Sequence, residues 1–321
     1  MNKKVGKKLL QSVIIYLGLV LLILFFAIAT KGQSITPRNL KLILEQSIML
    51  MLVSTGVFFV MSLGCMDFSV GANLAFSCYV MAKVCTINIP LGLIMTLLTG
   101  LVVGLWNGVI HSKLKLPSFL VTLSTMYILN GVVIQLTASE PVPVPLVLYK
   151  LDEFAFKIPL LLIVLVFAYY LFTYTKFGSN CRMIGAGEKA AMYSGVNVDK
   201  VKIIAFCIAG MFASFAGFIN GIRTGAASAT AGSDMPFNVI IALVIGGLPS
   251  GGGAKSRFSA PIIGSIIISV LSNGLVLINV PPIIQDLIKG VIFIVLIVVI
   301  AQKQIPTFLR RLSHKAVAEE R

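Results

Sequence analysis

Long apolar runs recur along this chain, and short polar or glycine- and proline-containing segments separate them. A bilayer-spanning helix needs about 20 consecutive apolar residues, and the runs approach that length. We predict ten spans on this pattern, at residues 9–30, 42–63, 69–87, 90–110, 117–137, 158–175, 203–222, 236–249, 259–279 and 282–301. The eighth is short for a straight crossing. The pattern predicts an all-α membrane protein, a polytopic bundle of about ten transmembrane helices in a single transmembrane domain over residues 1–321.

The composition also argues for a membrane protein. Hydrophobic residues make up 58% of the 321 residues and charged residues 12%, whereas soluble domains have roughly 45–50% and about 25%. The run after "MNKKVGKK" resembles a signal peptide but exceeds the ~7–15 residues of a typical signal-peptide core, so we expect an uncleaved first span. The five cysteines show no repeated spacing, which argues against a disulfide framework or a zinc site.

The net charge of +15 is better explained by membrane orientation than by nucleic-acid binding. If the N-terminus is cytoplasmic and ten spans alternate, the inner segments hold 18 Lys and Arg residues and the outer segments hold six. Because Lys and Arg favour cytoplasmic segments, we expect residues 1–8 and the tail 302–321 to be cytoplasmic. No basic face with interleaved aromatics is evident, so no nucleic-acid partner is expected.

The stretch "GGLPSGGGAKSRF" (residues 246–258) has the look of a phosphate-binding loop. Such a loop requires G-x-x-x-x-G-K-[ST] between a strand and a helix. Lys255 and Ser256 would demand glycines at positions that Pro249 and Ala254 occupy. We therefore expect no nucleotide or other cofactor on this chain. With only 11 acidic residues and two histidines, a membrane-embedded enzyme is also disfavoured.

The longest predicted inner segment, residues 176–202, contains "EKAAMYSG". Glu188, Ala190 and Ala191 are good helix formers, and Gly195 suits a helix stop. We considered two interpretations of this short helix, a plain surface turn and a docking helix for a cytoplasmic partner. A rigid helix transmits a push from a partner to the membrane spans, whereas a flexible loop does not.

Small and polar residues within the apolar runs suggest close helix packing or a solute path. Glycines at four-residue spacing favour close helix approach in lipid, and they are Gly100, Gly104 and Gly108, with Gly217, Gly221 and Gly225 as a second ridge. Gly64 is expected to end one helix and Asp67 or Ser69 to cap the next, with a substrate path as the alternative role of Asp67. Buried amides serve either helix contacts or a pore, and the candidate pore-lining residues are Asp67, Asn73, Asn107, Asn130, Asn220, Asn273 and Gln285.

Four segments in the same order resemble the permease subunits of ATP-binding-cassette importers for simple sugars, the ribose, galactose and autoinducer type. They are "GCMDFSVGANL", "LPSFLVTLSTMYILNGV", "FGSNCRMIGAGEKAAMYSGVNVDKVK" and "LSNGLVLINVPPIIQDLIKGVIFI", and the resemblance covers nearly all of the chain. The third resembles the segment through which this family couples to its ATPase. That resemblance implies Gly185, Glu188, Ala190, Ala191 and Gly195 as the coupling residues.

The resemblance further implies a translocation subunit of the bacterial cytoplasmic membrane without an ATPase of its own. Its expected partners are a cytoplasmic ATP-binding subunit, an extracytoplasmic substrate-binding protein and a second permease subunit. Pro236 and Asn238 stand where the family often has acidic residues, which leaves a homodimer and a heterodimer both open. An ATPase-independent secondary transporter or channel is the alternative function, and the sequence does not distinguish a pentose, hexose, nucleoside or signalling furanose as the solute.

Overall fold

The computed structural model describes residues 2–137 and 140–302. Most of the predicted tail, residues 303–321, lies outside the described residues. Each of the ten predicted spans coincides with a helix. These helices are α1 (Asn2–Ala29), α2 (Pro37–Ser62), α3 (Val70–Val84), α4 (Ile89–Lys113), α5 (Ser118–Thr137), α6 (Phe154–Tyr174), α9 (Val198–Thr224), α10 (Met235–Ile245), α11 (Ser259–Leu277) and α12 (Pro282–Gln302).

Two further helices, α7 (Lys176–Ala186) and α8 (Glu188–Tyr193), lie between α6 and α9. Short 3-10 turns cover Gln33–Ile35 and Leu146–Leu151. The two-residue strands β1 (Val142–Pro143) and β2 (Ala226–Ala227) pair antiparallel and join the loop after α5 to the loop after α9.

Six of these helices, α2, α4, α5, α6, α9 and α11, are long and apolar enough to cross a membrane. The apolar part of α1 (Ile15–Ala29) and the helices α3 and α10 are shorter. The described chain is therefore an all-α polytopic membrane protein, and the prediction of that fold class is confirmed.

The helices divide into a central and a peripheral set. α9 packs along α4, α2 and α3, and α11 packs against α2 and α10. The most apolar window of α2 is 78% buried within the chain, whereas that of α6 is 17% buried. The outward side chains of α6 are therefore exposed, whereas α2 and α9 form the centre of the bundle.

Helix ends follow local capping chemistry. The side chain of Asn88 accepts a hydrogen bond from the Leu91 N–H at 3.0 Å at the start of α4, and Asn197 does the same for Lys200 at the start of α9. Such side-chain acceptors satisfy N–H groups that have no partner within the helix.

The predicted break between the second and third spans is present. Gly64 has φ of +79°, and the N–H of Cys65 donates to the Val60 carbonyl at 3.2 Å, which closes α2 with a glycine C-cap. Before α3, the Asp67 carboxylate accepts hydrogen bonds from the Ser69 N–H at 2.9 Å and from its hydroxyl at 2.6 Å. Asp67 thus provides the capping interaction, while Ser69 is the N-cap residue without a side-chain capping bond of its own.

Candidate functional site

The helix predicted from "EKAAMYSG" is present as α8. Gly195 follows it with φ of +82°, and the Val196 N–H donates to the Ala191 carbonyl at 3.1 Å. A residue without a Cβ adopts this backbone conformation at little cost, so the helix stops where the sequence predicted. α7 was not predicted. We refer to residues 176–195 as the α7–α8 segment.

The inner side of the α7–α8 segment is fixed to the helix bundle. The Lys202 ammonium of α9 lies 2.9 Å from both carboxylate oxygens of Glu188. Ala191 is only 2% exposed and packs into the main core. Cys181 in α7 is fully buried, and this burial raises the pKa of its thiol to about 12. These contacts hold α8 rigidly against the bundle.

The outer side of α8 presents large side chains to solvent. Tyr193 is 88% exposed and Met192 is 58% exposed, and the side chain of Lys189 is also exposed. Tyrosine and methionine are enriched in protein–protein interfaces. Among the predicted coupling residues, Ala190 and Gly195 share this exposed surface. Met192 and Tyr193 were not among the predicted coupling residues. The available signal was an apolar residue next to an aromatic one within a polar segment.

The other predicted coupling residue, Gly185, lies where three backbone segments meet. A Cβ at Gly185 would overlap the Ser62 carbonyl oxygen at the end of α2 and would lie 2.5 Å from the Gly253 nitrogen. The Gly253 N–H donates to that same Ser62 carbonyl at 2.9 Å. A Cβ at Gly252, which has φ of +65°, would also overlap Ser62. We call this contact of Ser62, Gly185, Gly252 and Gly253 the glycine junction.

The glycine junction gives the loop 246–258 its structural role. The loop follows α10, a helix, whereas a phosphate loop follows a strand. Gly253, with φ of +90°, turns the backbone against α7, and the chain then enters α11 at Ser259. Direct backbone contact therefore joins the α7–α8 segment, the end of α2 and the connector that leads into α11.

Several predicted pore-lining side chains are buried and hydrogen-bonded inside the chain. Asn107 donates to the Ser69 hydroxyl at 2.8 Å and accepts from the Thr125 hydroxyl at 2.7 Å. Since Ser69 also binds Asp67, these bonds form one buried polar network that links α4, α5 and the break before α3. The network holds the non-helical break in place.

Other amides join pairs of helices. Asn39 and Asn273 exchange two side-chain hydrogen bonds, of 2.8 and 3.0 Å, between α2 and α11. Asn73 donates to the Gly210 carbonyl at 3.0 Å, which links α3 to α9. Gln285 donates to the Val280 carbonyl at 2.8 Å, just before α12. The donor groups of these three predicted residues are thus used within the chain.

Asn130 and Asn220 differ from that group. Both side chains are partly exposed, and neither has a side-chain hydrogen bond within the part of the chain that the structure describes. Asn130 lies on α5 beside a row of exposed residues that sequence reasoning missed, which comprises Ser124, Tyr127, Gly131 and Gln135. We call this row the α5 stripe. Its spacing of three to four residues, polar in part, was the available signal.

The α5 stripe contrasts with the outward face of α4. The exposed side chains along the middle of α4 are apolar, and they include Ile94, Leu98, Val102 and Leu105. Apolar side chains suit contact with lipid, whereas polar ones within a membrane span usually face protein or water. The α5 stripe therefore adds partly polar exposed positions to a helix whose other exposed side chains, such as Ile128 and Leu136, are apolar.

The predicted glycine ridges lie at helix crossings. A Cβ at Gly100 would overlap the Gly210 carbonyl, and one at Gly104 would overlap the Phe206 carbonyl. At Gly108 a Cβ would come within 2.8 Å of the Ile203 Cα. α4 and α9 thus approach backbone to backbone at three positions over about two helical turns.

The second ridge brings α9 against α3. A Cβ at Gly217 would lie 2.5 Å from the Leu74 carbonyl, and one at Gly221 would overlap the end of Met81. Gly225 does not extend this ridge, because it is the C-cap of α9 with φ of +73°. Including Gly225 in the ridge was therefore wrong, since a Cβ there would meet the Tyr149 side chain of the turn before α6 and not a membrane helix.

A bundle of membrane-length helices with buried polar side chains and a short helix pair at one end is a polytopic membrane protein. Residues 39–297 match the sequence model of a family described as "Branched-chain amino acid transport system / permease component". The chain belongs to this family of importer permeases and is a multi-pass protein of the inner membrane.

Named relatives agree over most of the chain. The ribose import permease protein of Escherichia coli (strain K12) is 32% identical over 298 residues, which cover 88% of this chain and 92% of that protein. The ribose import permease protein of Bacillus subtilis (strain 168) is 31% identical, with 90% and 92% covered. The xylose transport system permease protein of Haemophilus influenzae (strain ATCC 51907 / DSM 11121 / KW20 / Rd) is 27% identical, with 88% and 93% covered. No solved structure matches the chain.

Proposed function

We propose that this chain is the translocation subunit of an ATP-binding-cassette importer that moves a simple sugar inward. Family membership and relatives named as ribose and xylose permeases support the sugar as substrate class. ATP is hydrolysed by a separate cytoplasmic subunit, and an extracytoplasmic binding protein delivers the substrate. The observation that supports the proposal is the position of α8. One side of this short helix contacts the bundle, and the other side is exposed to solvent.

The ATPase docks on the outer face of α8. Tyr193 and Met192 provide the exposed apolar area, and Lys189 and Gly195 form part of the same surface. The Glu188–Lys202 ion pair and buried Ala191 hold the helix from behind. A helix held in this way passes a displacement of the ATPase to the bundle, because little of the movement is absorbed locally.

The glycine junction carries that displacement into the membrane helices. Gly185 at the end of α7 contacts Ser62 at the end of α2 and Gly253 before α11. These are backbone contacts without intervening side chains, so little rotamer freedom can absorb the movement. α2 and α11 also pack against each other, so both helices receive it together.

The substrate path runs between two permease subunits along the α5 stripe. The side chains of Ser124, Tyr127 and Gln135 can donate and accept hydrogen bonds, which suits the hydroxyl groups of a sugar. Asn130 lies on the same helix. A second permease subunit facing this stripe would shield it from lipid. The excess of Lys and Arg in the inner segments supports an orientation with the α7–α8 segment and both termini in the cytoplasm.

Uptake in proteoliposomes tests this proposal. The permease is reconstituted with its ATPase and binding protein, and labelled ribose or xylose uptake is measured with and without ATP. Replacing Glu188 and Lys189 with proline, or Gly195 with Trp, should abolish uptake while membrane insertion persists. Proline at position 189 disfavours the helical conformation of the residue before it, and the double change also removes the carboxylate that binds Lys202. A side chain at Gly195 strains its positive φ.

Two results would overturn parts of the proposal. Normal uptake and normal ATPase association in both variants would remove the docking role of α8. Uptake that proceeds at the same rate without ATP and without the ATPase would instead establish a secondary transporter or channel.

A further inference from the structure

A cavity of about 400 Å³ lies where the end of α6, the helix α7 and the start of α11 meet. Neither the proposed docking surface nor the proposed substrate path uses it. Its polar lining residues are Tyr169, Thr173, Arg182, Ser256, Arg257 and Ser259. No carboxylate occurs among the described residues that line it, so the cavity combines positive charge with hydroxyl groups.

Arg182 supplies a fixed cation. Its guanidinium carbon lies 4.9 Å from the centre of the Phe172 ring, which is a cation–π contact. This contact uses none of the five N–H donors of the guanidinium in a hydrogen bond, so they can bind an anion. Within the described residues, no carboxylate forms an ion pair with Arg182. Arg257 also lines the cavity and adds positive charge.

Ser256 provides independent evidence for a ligand. Its side chain is only 6% exposed, and its hydroxyl has no hydrogen-bond partner among the described residues. Buried polar groups are nearly always hydrogen-bonded, because burial removes the water that would otherwise bind them. Ser256 lines the cavity as a residue, and a hydroxyl without a partner at its wall favours an acceptor that binds there.

The position of the cavity indicates where that acceptor comes from. Tyr169, Tyr170 and Tyr174 are exposed at the end of α6, whereas Leu162 and Val166 are exposed earlier along the same helix. Tyrosines concentrate at membrane–water boundaries, where lipid headgroups lie. Basic pockets between helices at this level bind anionic lipid headgroups.

We propose that this cavity binds a phosphate group, and that its source is the headgroup of an anionic phospholipid. Arg182 donates in-plane hydrogen bonds to two phosphate oxygens, and the Ser256 hydroxyl donates to one of them. Soluble phosphate has the same chemistry, but the level of the cavity favours the lipid. Because α7 carries Arg182 and also Gly185 of the glycine junction, the bound lipid stabilises α7 directly.

Native mass spectrometry of the intact importer complex tests this site. The complex is incubated with phosphatidylglycerol, with phosphatidylcholine or with inorganic phosphate, and the retained molecules are counted. Arg182→Gln should weaken phosphatidylglycerol retention about tenfold or more, because hydrogen bonds to charged groups are the strong ones. Ser256→Ala should weaken it by a smaller factor. The control is Lys255→Gln, which removes an exposed cation of the same loop that does not line the cavity.

Selective loss of phosphatidylglycerol in Arg182→Gln and Ser256→Ala, with Lys255→Gln unchanged, supports the lipid site. If inorganic phosphate binds with the same variant dependence and displaces the lipid, the pocket binds phosphate from a soluble source. Equal retention in all variants, or equal loss in Lys255→Gln, overturns the proposal. Ser256→Ala keeps the test decisive if Arg182→Gln fails to assemble. Retention is measured without uptake, so it is independent of the transported substrate.

Discussion

Two sets of glycines in this molecule make close backbone contacts, and they do so in different settings. Gly100 and Gly104 lie in regular helix and contact α9 across a long crossing. Gly252 and Gly253 have positive φ and contact the ends of α2 and α7 in an irregular connector. The first set, continued by Gly108, brings two membrane helices together over about two turns, whereas the second joins three separate segments at one point.

This difference separates stability from coupling. The contacts of α4 with α9 extend along the helices and are supported by the Asn107 network, so their loss affects the whole bundle. The glycine junction is a local contact. It lies at the end of α7, and α8 follows only a few residues later. We therefore expect interior changes to lower the amount of folded permease, and changes at the junction or α8 to spare folding but impair ATP-driven transport.

Gly104→Leu tests the packing of α4 against α9, and we expect it to have the largest effect, a loss of folded permease. Even a Cβ at this position overlaps the Phe206 carbonyl, so α4 and α9 must separate. Overpacking of this kind costs about 3 kcal/mol, enough to remove most folded permease from the membrane. Size-exclusion chromatography of a fluorescent fusion measures the folded yield. Gly18→Leu is the control, since nothing lies within 4 Å of a Cβ at Gly18, and equal loss in both variants would contradict the packing account.

Tyr193→Ala tests the coupling side at its outer surface. Removing an exposed aromatic anchor from a docking helix costs about 2 kcal/mol of binding, or roughly a thirtyfold weaker affinity for the ATPase. Surface plasmon resonance with purified ATPase measures this. Tyr16→Ala on α1 is the matched control, because it removes an exposed tyrosine away from α8 and from the α5 stripe. If the affinity for the ATPase is unchanged in Tyr193→Ala, the ATPase does not dock on the outer face of α8.

Asn107→Leu sharpens the interior side. It leaves the Thr125 hydroxyl without its acceptor and removes the bond to Ser69, whose hydroxyl keeps only Asp67. Interhelical hydrogen bonds in membranes contribute about 1–2 kcal/mol. The thermal unfolding midpoint in detergent should fall. Asn130→Leu, at a partly exposed site on α5, should leave it nearly unchanged. A similar drop in both would show that the buried network adds nothing specific.

Glu188→Gln should have the smallest effect. Its carboxylate binds Lys202 at 2.9 Å, but the Glu188 side chain is 57% exposed, so solvent screens the pair. Exposed ion pairs contribute about 0–1 kcal/mol. ATPase affinity should fall only a few-fold, and high salt should reduce the difference. An effect as large as that of Tyr193→Ala would mean that Glu188 contacts the ATPase directly.

The two sides of the comparison also differ in how far the sequence revealed them. The interior was accessible because spans, four-residue glycine spacing and the Gly64–Asp67 break are local patterns. The glycine junction was not, because Ser62, Gly185 and Gly253 are far apart in sequence and meet only in the folded chain. Likewise, "EKAAMYSG" predicted a helix and its stop, but which side chains face outward depended on how α8 packs against α9.

The hydrogen bonds of the predicted pore-lining amides were equally beyond the sequence. Asn73, Asn107 and Asn273 satisfy their donors inside the chain. Only the folded structure separates them from Asn130 and Asn220, since all five occur in similar apolar runs. The α5 stripe then emerged from exposure rather than from residue type.

The most direct test of coupling through the glycine junction compares Gly253→Ala with Gly251→Ala in reconstituted importer. A Cβ at position 253 meets the backbone of Gly185 and Ala186 at 3.0–3.1 Å in a positive-φ conformation, whereas nothing lies within 4 Å of a Cβ at position 251. ATP hydrolysis and sugar uptake are measured in the same vesicles. We predict that Gly253→Ala keeps ATPase association and hydrolysis but lowers uptake about tenfold, while Gly251→Ala retains both. Uptake that stays proportional to hydrolysis in Gly253→Ala would contradict the account.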